Sequence, residues 1–322
     1  MSGFKSCFVA ACLMANAIAA HSEMLTSDVN VKEKELKFIF VTTCKNEAFF
    51  NPVKRGIADA ARKMNVKCEW VGTEDVDLKA QAKMAEDAIN SKDYDGIAID
   101  MIDSKAFDEV AGLAAKKGIP LVSFNTDDTT PNARLSTVAQ NLYQAGVTAG
   151  KTAAPAIKAD SQVLITEHSA GVSALEDRAK GMQDALKDKN IKVTILITGT
   201  SAKEAAVKVA KALKDNPGIA AVLSTGQADT EGAGIAVEKE FKDKGIYVAG
   251  FDLSTETLRL IQSGVIAFTI DQQPYIQGFY PVMQLALKCR YGIMPPNMDA
   301  GAAVITKATA AAVADLVKQG YR

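Results

Sequence analysis

Six side chains stand where short apolar runs give way to polar loops: Phe49, Phe50, Asn125, Arg178, Asp252 and Gln272. Their types suit recognition of a small ring that carries hydroxyls. Phe49 and Phe50 adjoin in Thr42-Thr43-Cys44-Lys45-Asn46-Glu47-Ala48-Phe49-Phe50-Asn51-Pro52, a loop that opens a helix. One or both rings can offer a flat apolar face to the C–H side of a ring while polar neighbours take hydroxyls. The alternative is that they staple the helix start. Asn125 is the first residue beyond Ser123-Phe124 and both donates and accepts, whereas Asp127, Asp128 and Thr129 read as solvated turn residues. Arg178 opens a predicted helix over 178–187, against the preference of a helix start for acids. A guanidinium there can fork onto vicinal hydroxyls or a carboxylate, the alternative being a surface pair with Glu176 or Asp177. Ionised Asp252 would accept from two hydroxyls and Gln272 would donate and accept. The competing role for Asp252 is a cap before Ser254.

Four more residues form a second tier of candidate ligand contacts: Glu47, Asp100, His168 and Gly226. Asp100 and Asp103 lie three apart and invite an acid/base reading, but a carboxylate ahead of a helix is better used to cap its free N–H groups, the role expected of Asp103. Catalysis is not indicated. One of the chain's 2 histidines, His21, falls in the export region, and His168 has no accompanying Ser or Cys nucleophile arrangement or metal-ligand spacing. Gly232-Ala233-Gly234 lacks the third glycine and downstream acid of a dinucleotide loop, so small residues packing a helix on a sheet explain it better. No cofactor or metal is implied.

The elements that must position these residues follow from hydrophobic periodicity. Short apolar runs at 38–41, 68–71, 96–99 and 121–124 alternate with helical patterns over 52–64, 79–90 and 106–117. Near Ala139 the pattern restarts, with strands at 163–166, 193–196, 221–224, 247–251 and 266–270 and helices at 143–157, 178–187, 203–214, 232–241 and 255–261. Short strands flanked by helices imply parallel sheets in two α/β lobes. Gly118-Ile119-Pro120, Asn216-Pro217-Gly218 and Lys244-Gly245 stand where helices should stop. No Gly/Ser-rich linker divides the halves, which points to hinge connections and a cleft at the carboxyl ends of the strands.

The 322-residue chain has 37 basic and 38 acidic residues, a balance that offers no basic surface to nucleic acid. Lys5, the apolar run from Cys7 to Met14 and Ala17-Ile18-Ala19-Ala20 form a signal-peptide pattern over 1–20, so export is expected. Val9-Ala10-Ala11-Cys12 also fits a lipoprotein box, though it leaves little apolar chain upstream. Beyond it, no apolar run reaches the length of a membrane-spanning helix. Cys44, Cys68 and Cys289 show no C-x-x-C spacing and read as small hydrophobes, with Cys44 near a prospective pocket.

Taken in order, Phe49-Phe50, Gly118-Ile119-Pro120-Leu121-Val122-Ser123-Phe124-Asn125, Gly171 to Arg178, Gly250-Phe251-Asp252 and Thr269-Ile270-Asp271-Gln272-Gln273-Pro274 resemble the type I periplasmic sugar-binding proteins, the ribose-binding protein family. The likeness covers nearly all of the chain after the signal. It implies two Rossmann-like lobes joined by a three-stranded hinge, over 36–139 plus 272–304 and over 140–271 plus 305–322. It further implies that Phe49, Phe50, Asn125, Arg178, Asp252 and Gln272 contact a carbohydrate or polyol, and that a monomer delivers it to the permease of an ABC importer. A sensor role, in which a closed protein docks on a chemoreceptor or kinase, is the alternative. Asn125-Thr126 replaces an Asp-Arg pair of ribose binders, and Gly226-Gln227 an Asn, so ribose itself is not expected and the ligand class implied by the resemblance extends beyond aldoses to polyols, inositols or a furanosyl signal of the autoinducer-2 type.

Overall fold

The computed structural model describes residues 34–103, 105–127 and 130–322. The signal peptide and Cys12 expectations, with those for Asp128 and Thr129, fall outside the described residues. The first half runs β1 (Leu36–Thr42), α1 (Phe50–Lys63), β2 (Val66–Gly72), α2 (Leu78–Ser91), β3 (Gly96–Ile99), α3 (Asp108–Lys117), β4 (Leu121–Asn125) and β5 (Thr137–Ala139). The second continues with α4 (Leu142–Ala153), β6 (Gln162–Glu167), α5 (Ser173–Leu186), β7 (Lys192–Ile197), α6 (Ala202–Asp215), β8 (Ile219–Ser224), α7 (Gln227–Glu240), β9 (Tyr247–Phe251), α8 (Thr255–Ser263) and β10 (Phe268–Asp271). The chain then adds α9 (Pro274–Tyr291), β11 (Met298–Asp299), β12 (Ala303–Thr306) and α10 (Ala310–Lys318).

Two sheets result, in the orders β2-β1-β3-β4-β5-β11 and β7-β6-β8-β9-β10-β12. Every pairing is parallel except β10 with β12. Strands such as β3, whose residues are all buried, need helices on both faces, and each sheet accordingly has a core on either side. The chain passes from one sheet to the other between β5 and α4, between β10 and α9, and between β11 and β12. Ala303 and Val304, expected in the first lobe, pair with Asp271 and Ile270 in the second sheet, because β12 needs β10 as its only ladder partner. Helix α9 returns to the first sheet and lies on α1, where a Cβ on Gly56 would stand 2.0 Å from the Tyr275 carbonyl oxygen. Only glycine lets the two backbones approach that closely.

Two helices begin five residues earlier than their periodicity predicts. Helix α5 starts at Ser173, which puts Arg178 in its second turn. The expected clash of a cation with a helix start is therefore not what sets Arg178 apart. Helix α7 starts at Gln227, after the Asp229 carboxylate accepts from the N–H of Gly226 at 3.0 Å. Asp103 accepts from the N–H groups of Lys105 and Ala106, capping the turn that leads to α3 rather than the helix itself.

Candidate functional site

At the carboxyl ends of the strands, facing residues of the two sheets enclose a cavity of about 280 Å³. That volume lies at the small end of the range for small-molecule sites. The backbone around it is unusual. Cys44, Asn125, Asp252 and Gln273 all have positive φ, at 49°, 62°, 70° and 53°, and each follows or ends a strand at the cavity. A non-glycine residue in this region costs about 1–2 kcal/mol, and such positions gather where a site over-determines the chain.

The second lobe, joined by Gln272 and Gln277 at the crossing into α9, supplies a bonded floor. Arg178 is 3% exposed, and its Nε and Nη2 donate to Gln140 Oε1 at 3.1 and 2.8 Å while Nη1 donates to the Thr225 carbonyl at 2.9 Å. Its guanidinium lies 4.4 Å from the centre of the Phe251 ring and 4.0 Å from Asp252 Oδ2. Gln272 Nε2 donates to Asp252 Oδ1 at 2.6 Å, and Gln277 Nε2 donates to Gln272 Oε1 at 3.1 Å. Burial raises the Asp252 carboxyl, with Arg178 and Gln272 opposing it. Arg178 is thus no surface partner of Glu176 or Asp177. Nor does Asp252 cap α8, since Ser254 accepts from the Thr257 N–H at 2.9 Å.

Asp229 supports this floor from below. Its carboxylate accepts from Thr166 Oγ1 at 2.8 Å and from the N–H groups of Thr225 and Gly226 at 2.9 and 3.0 Å, which fixes the turn whose carbonyl holds Arg178. Gly226 lines the cavity, where an added Cβ would lie 3.3 Å from the His168 ring. His168 also lines it, with Nδ1 sharing a hydrogen bond with Ser169 Oγ at 3.0 Å. Burial and the Arg178 charge push its pKa down to about 4, so the ring is neutral at physiological pH.

The first lobe gives a different wall. Phe49 and Phe50 part ways: Phe50 is 3% exposed and packs in the core, its ring centre 5.2 Å from Trp70, while half-buried Phe49 meets Phe50 edge-on at 5.2 Å and borders the cavity. Both residues line the cavity, Phe49 as the more exposed ring and Phe50 as the more deeply packed one, so the expectation that one or both rings face a ligand stands with Phe49 the better placed. Asn125 lines the cavity and donates through Nδ2 to Asp100 Oδ1 at 3.1 Å. Asp100 itself is buried behind that wall, accepting also from Thr42 Oγ1 at 2.9 Å and the Thr126 N–H at 3.2 Å. It orients Asn125 rather than lining the cavity. Glu47 does line it, and its buried Oε1 has no hydrogen-bond partner.

Sequence reasoning missed several neighbours. Gln140 turns Arg178 toward the cavity, and Thr200, Ser201, Gln227 and Glu231 line it. Gln140 sits on the first crossing, where polarity reads as a plain loop, and Thr200 and Ser201 read as the start of α6, which Ser201 does cap by accepting from the Glu204 N–H at 3.2 Å. Cys44 lines the cavity as a buried thiol that burial pushes up to about 12, so it is no thiolate nucleophile near neutral pH.

These lobes, crossings and the strand-end cleft define the class. The periplasmic binding protein domain profile matches residues 38–292, and the chain belongs to that family. The xylose/arabinose-binding protein of Sulfolobus acidocaldarius is 27% identical over 286 residues, covering 84% of this chain and 71% of its own. The D-allose-binding periplasmic protein of Escherichia coli is 27% identical over 251 residues, 74% of this chain and 79% of its own. Among solved structures, a carbohydrate transporter protein of Acidothermus cellulolyticus in complex with myo-inositol has a TM-score of 0.80 at 28% identity, covering 90% of this chain and 100% of its own. Among the described residues, no helix is long and apolar enough to cross a membrane.

Proposed function

We propose that this chain is the non-catalytic solute-binding component of an ABC importer, which captures a monosaccharide or sugar alcohol between its lobes and presents it to a membrane permease. The observation that carries this reading is the buried Arg178–Asp252–Gln272 floor, which leaves donors and acceptors at the cavity opposite the Phe49 ring. A polyol needs that combination: both bonding senses for hydroxyls and an apolar face for C–H groups. The sugar ligands of the relatives support the same class. Export follows from the signal-peptide pattern over 1–20, and a monomer with lobes over 36–139 plus 272–302 and 303–322 plus 140–271 is the working unit.

In this reading the ligand joins the lobes. The Ser173 N–H donates to the Ile102 carbonyl at 3.1 Å, and Ile102 packs on Val172 and Leu175, so the two cavity walls already touch. Entry of a ligand requires that seam to part, and contacts from both walls then favour its return. A permease reads the closed surface; a chemoreceptor or kinase reading the same surface would make the protein a sensor.

The test is thermal unfolding of ligand-stripped protein against pentoses, hexoses, polyols, inositols and amino acids. Ligand at about 100 times its dissociation constant adds about 2.7 kcal/mol, a shift of several degrees at this size. Stabilisation confined to sugars or polyols is expected. A response to amino acids alone, or to nothing in the panel, overturns the carbohydrate reading.

A further inference from the structure

The chain crosses between the lobes three times, and the floor of the cleft meets two of these crossings. Gln140, which holds Arg178, lies on the first, between β5 and α4, and Gln272 lies on the second, between β10 and α9. The third, between β11 and β12, places none of residues 300–302 in the cavity lining. Two glutamine amides join it to the others. Gln140 is 4% exposed; its Oε1 takes both Arg178 bonds, and its Nε2 donates to the Gly301 carbonyl at 2.7 Å. A guanidinium only donates and a carbonyl only accepts, so this amide can face no other way. Gln273 donates through Nε2 to the Ala300 carbonyl at 2.8 Å and accepts at Oε1 from Arg322 Nη1 at 3.2 Å. It does so from a φ of 53°, a conformation that a non-glycine residue keeps where its surroundings over-determine it.

We propose that Gln140 is a positioning residue that couples the cleft floor to the hinge, with Gln273 completing the tie, so that a ligand held by Arg178 orders the third crossing without touching it. The proposal rests on the reading of the cleft as a binding site and adds the route by which binding reaches the hinge. Two N–H groups of Arg178 converge on one oxygen, so the guanidinium cannot shift toward a ligand unless Gln140 follows or both bonds break. The other end of Gln140 is fixed to Gly301, so the displacement is passed on. Such coupling runs both ways: what binding does to the crossing, the state of the crossing does to binding.

Loop support is the competing role, since buried carbonyls need donors. The third crossing already has such support: the Ala300 N–H donates to the Ala139 carbonyl at 3.0 Å, and the Asp299 carboxylate accepts from the Gly301 N–H at 2.8 Å. Neither bond reaches the cleft floor. Gln140 instead commits its oxygen to a cavity-lining residue 38 positions away, which support of a loop does not require. The two roles differ in one respect that can be measured. Support acts equally with and without ligand, whereas coupling changes the crossing only when Arg178 is held.

The experiment follows hydrogen exchange by mass spectrometry in peptides covering 299–303 and 172–178, with and without ligand. The probes are xylose, arabinose, D-allose and myo-inositol, and the one with the largest thermal response is taken forward. Gln140→Met removes both ends of the link, Gln140→Glu keeps an acceptor for Arg178 but loses the donor to Gly301, and Gln273→Met leaves Arg178 and the cavity lining untouched. Melting of each variant without ligand controls for folding. In the wild type, ligand should slow exchange over 299–303 several-fold. Both Gln140 variants should lose that slowing, Gln140→Glu while keeping it over 172–178, and Gln273→Met should weaken binding by about two- to five-fold in calorimetry. Exchange over 299–303 that ignores the ligand in the wild type, or the same slowing in the Gln140 variants, overturns the coupling. A second arm needs no ligand: Arg178→Lys keeps the charge but not the fork, and should speed exchange over 299–303 in the wild-type background while adding nothing to Gln140→Met. An equal effect in both backgrounds overturns the link, whereas a silent sugar panel strikes only the carbohydrate reading.

Discussion

The two walls of the cleft are built from sheets of the same strand order, yet they are finished differently. On the second-lobe wall the central polar groups are engaged: Arg178 by Gln140 and Thr225, Asp252 by Gln272 reaching over from the crossing into α9, and the supporting Asp229 by three donors. On the first-lobe wall Phe49 is half-buried, Asn125 is held by one carboxylate behind it, and Glu47 ends in an unpartnered oxygen. The contrast teaches a division of labour. A pre-bonded wall holds its geometry before a ligand comes, and so loses little ordering entropy on binding. In the proposed reading, the incompletely matched wall would gain partners when the cleft fills, and closure would then depend on the ligand.

The comparison is broken most severely by removing the centre of the bonded wall. Arg178→Ala should abolish measurable binding, a loss of at least ~100-fold, by calorimetry. It should also lower stability by about 3–5 kcal/mol in denaturant unfolding, because Asp252 is left buried without its countercharge. Phe50 and Phe49, adjacent in the chain with ring centres 5.2 Å apart, sharpen the contrast. Phe50→Ala should destabilise by about 3–5 kcal/mol as a core truncation, whereas Phe49→Ala should leave stability within about 1 kcal/mol and weaken binding roughly tenfold, at ~1.4 kcal/mol per tenfold change. Trp70, the single tryptophan, touches Phe50, so its fluorescence offers a readout of ligand in the wild type. Gln140→Ala should weaken binding less, by several-fold, since Arg178 keeps Thr225 and Asp252.

The smallest effect concerns the buried acids that each sheet carries behind its wall. Burial pushes both Asp100 and Asp229 up to about 7. An unfolded Asp titrates near 4, so the folded state binds the proton more tightly, and the stability this gives is present at low pH and lost as pH rises from about 4 through about 7. Asp100→Asn keeps an acceptor for Asn125 and a donor that Thr42 can meet by rotating its hydroxyl. Its melting temperature should gain on the wild type by a few degrees between pH 5 and pH 8; parallel profiles would show that Asp100 is not the titrating group.

Most of the fold was legible because the strands carry short apolar runs, such as Phe38–Val41 and Gly96–Ile99, and most helices keep a polar face. The starts of α5 and α7 were not, since Ser173-Ala174 and Gln227-Ala228-Asp229-Thr230 are the small polar residues that also make loops. Strand β12 has no periodic signature of its own and is defined by its pairing with β10. For the site, polar residues at strand ends marked Asn125, Asp252 and Gln272, and all three line the cavity. Arg178 was picked out for the wrong reason, its position in the helix, while what distinguishes it is burial against Gln140, a contact 38 residues distant in the chain that no local pattern encodes. The different burial of Phe49 and Phe50 likewise depends on Trp70 packing beneath the loop.

The most direct test of the account is a crystal structure with the sugar or polyol that stabilises the protein most. The account predicts ligand hydroxyls within hydrogen-bond distance of Arg178, Asp252 and Gln272 on one side and of Asn125 and Glu47 on the other, with the ligand's C–H face on Phe49. A ligand seated elsewhere, or held by one wall with the other lobe swung away, would contradict it.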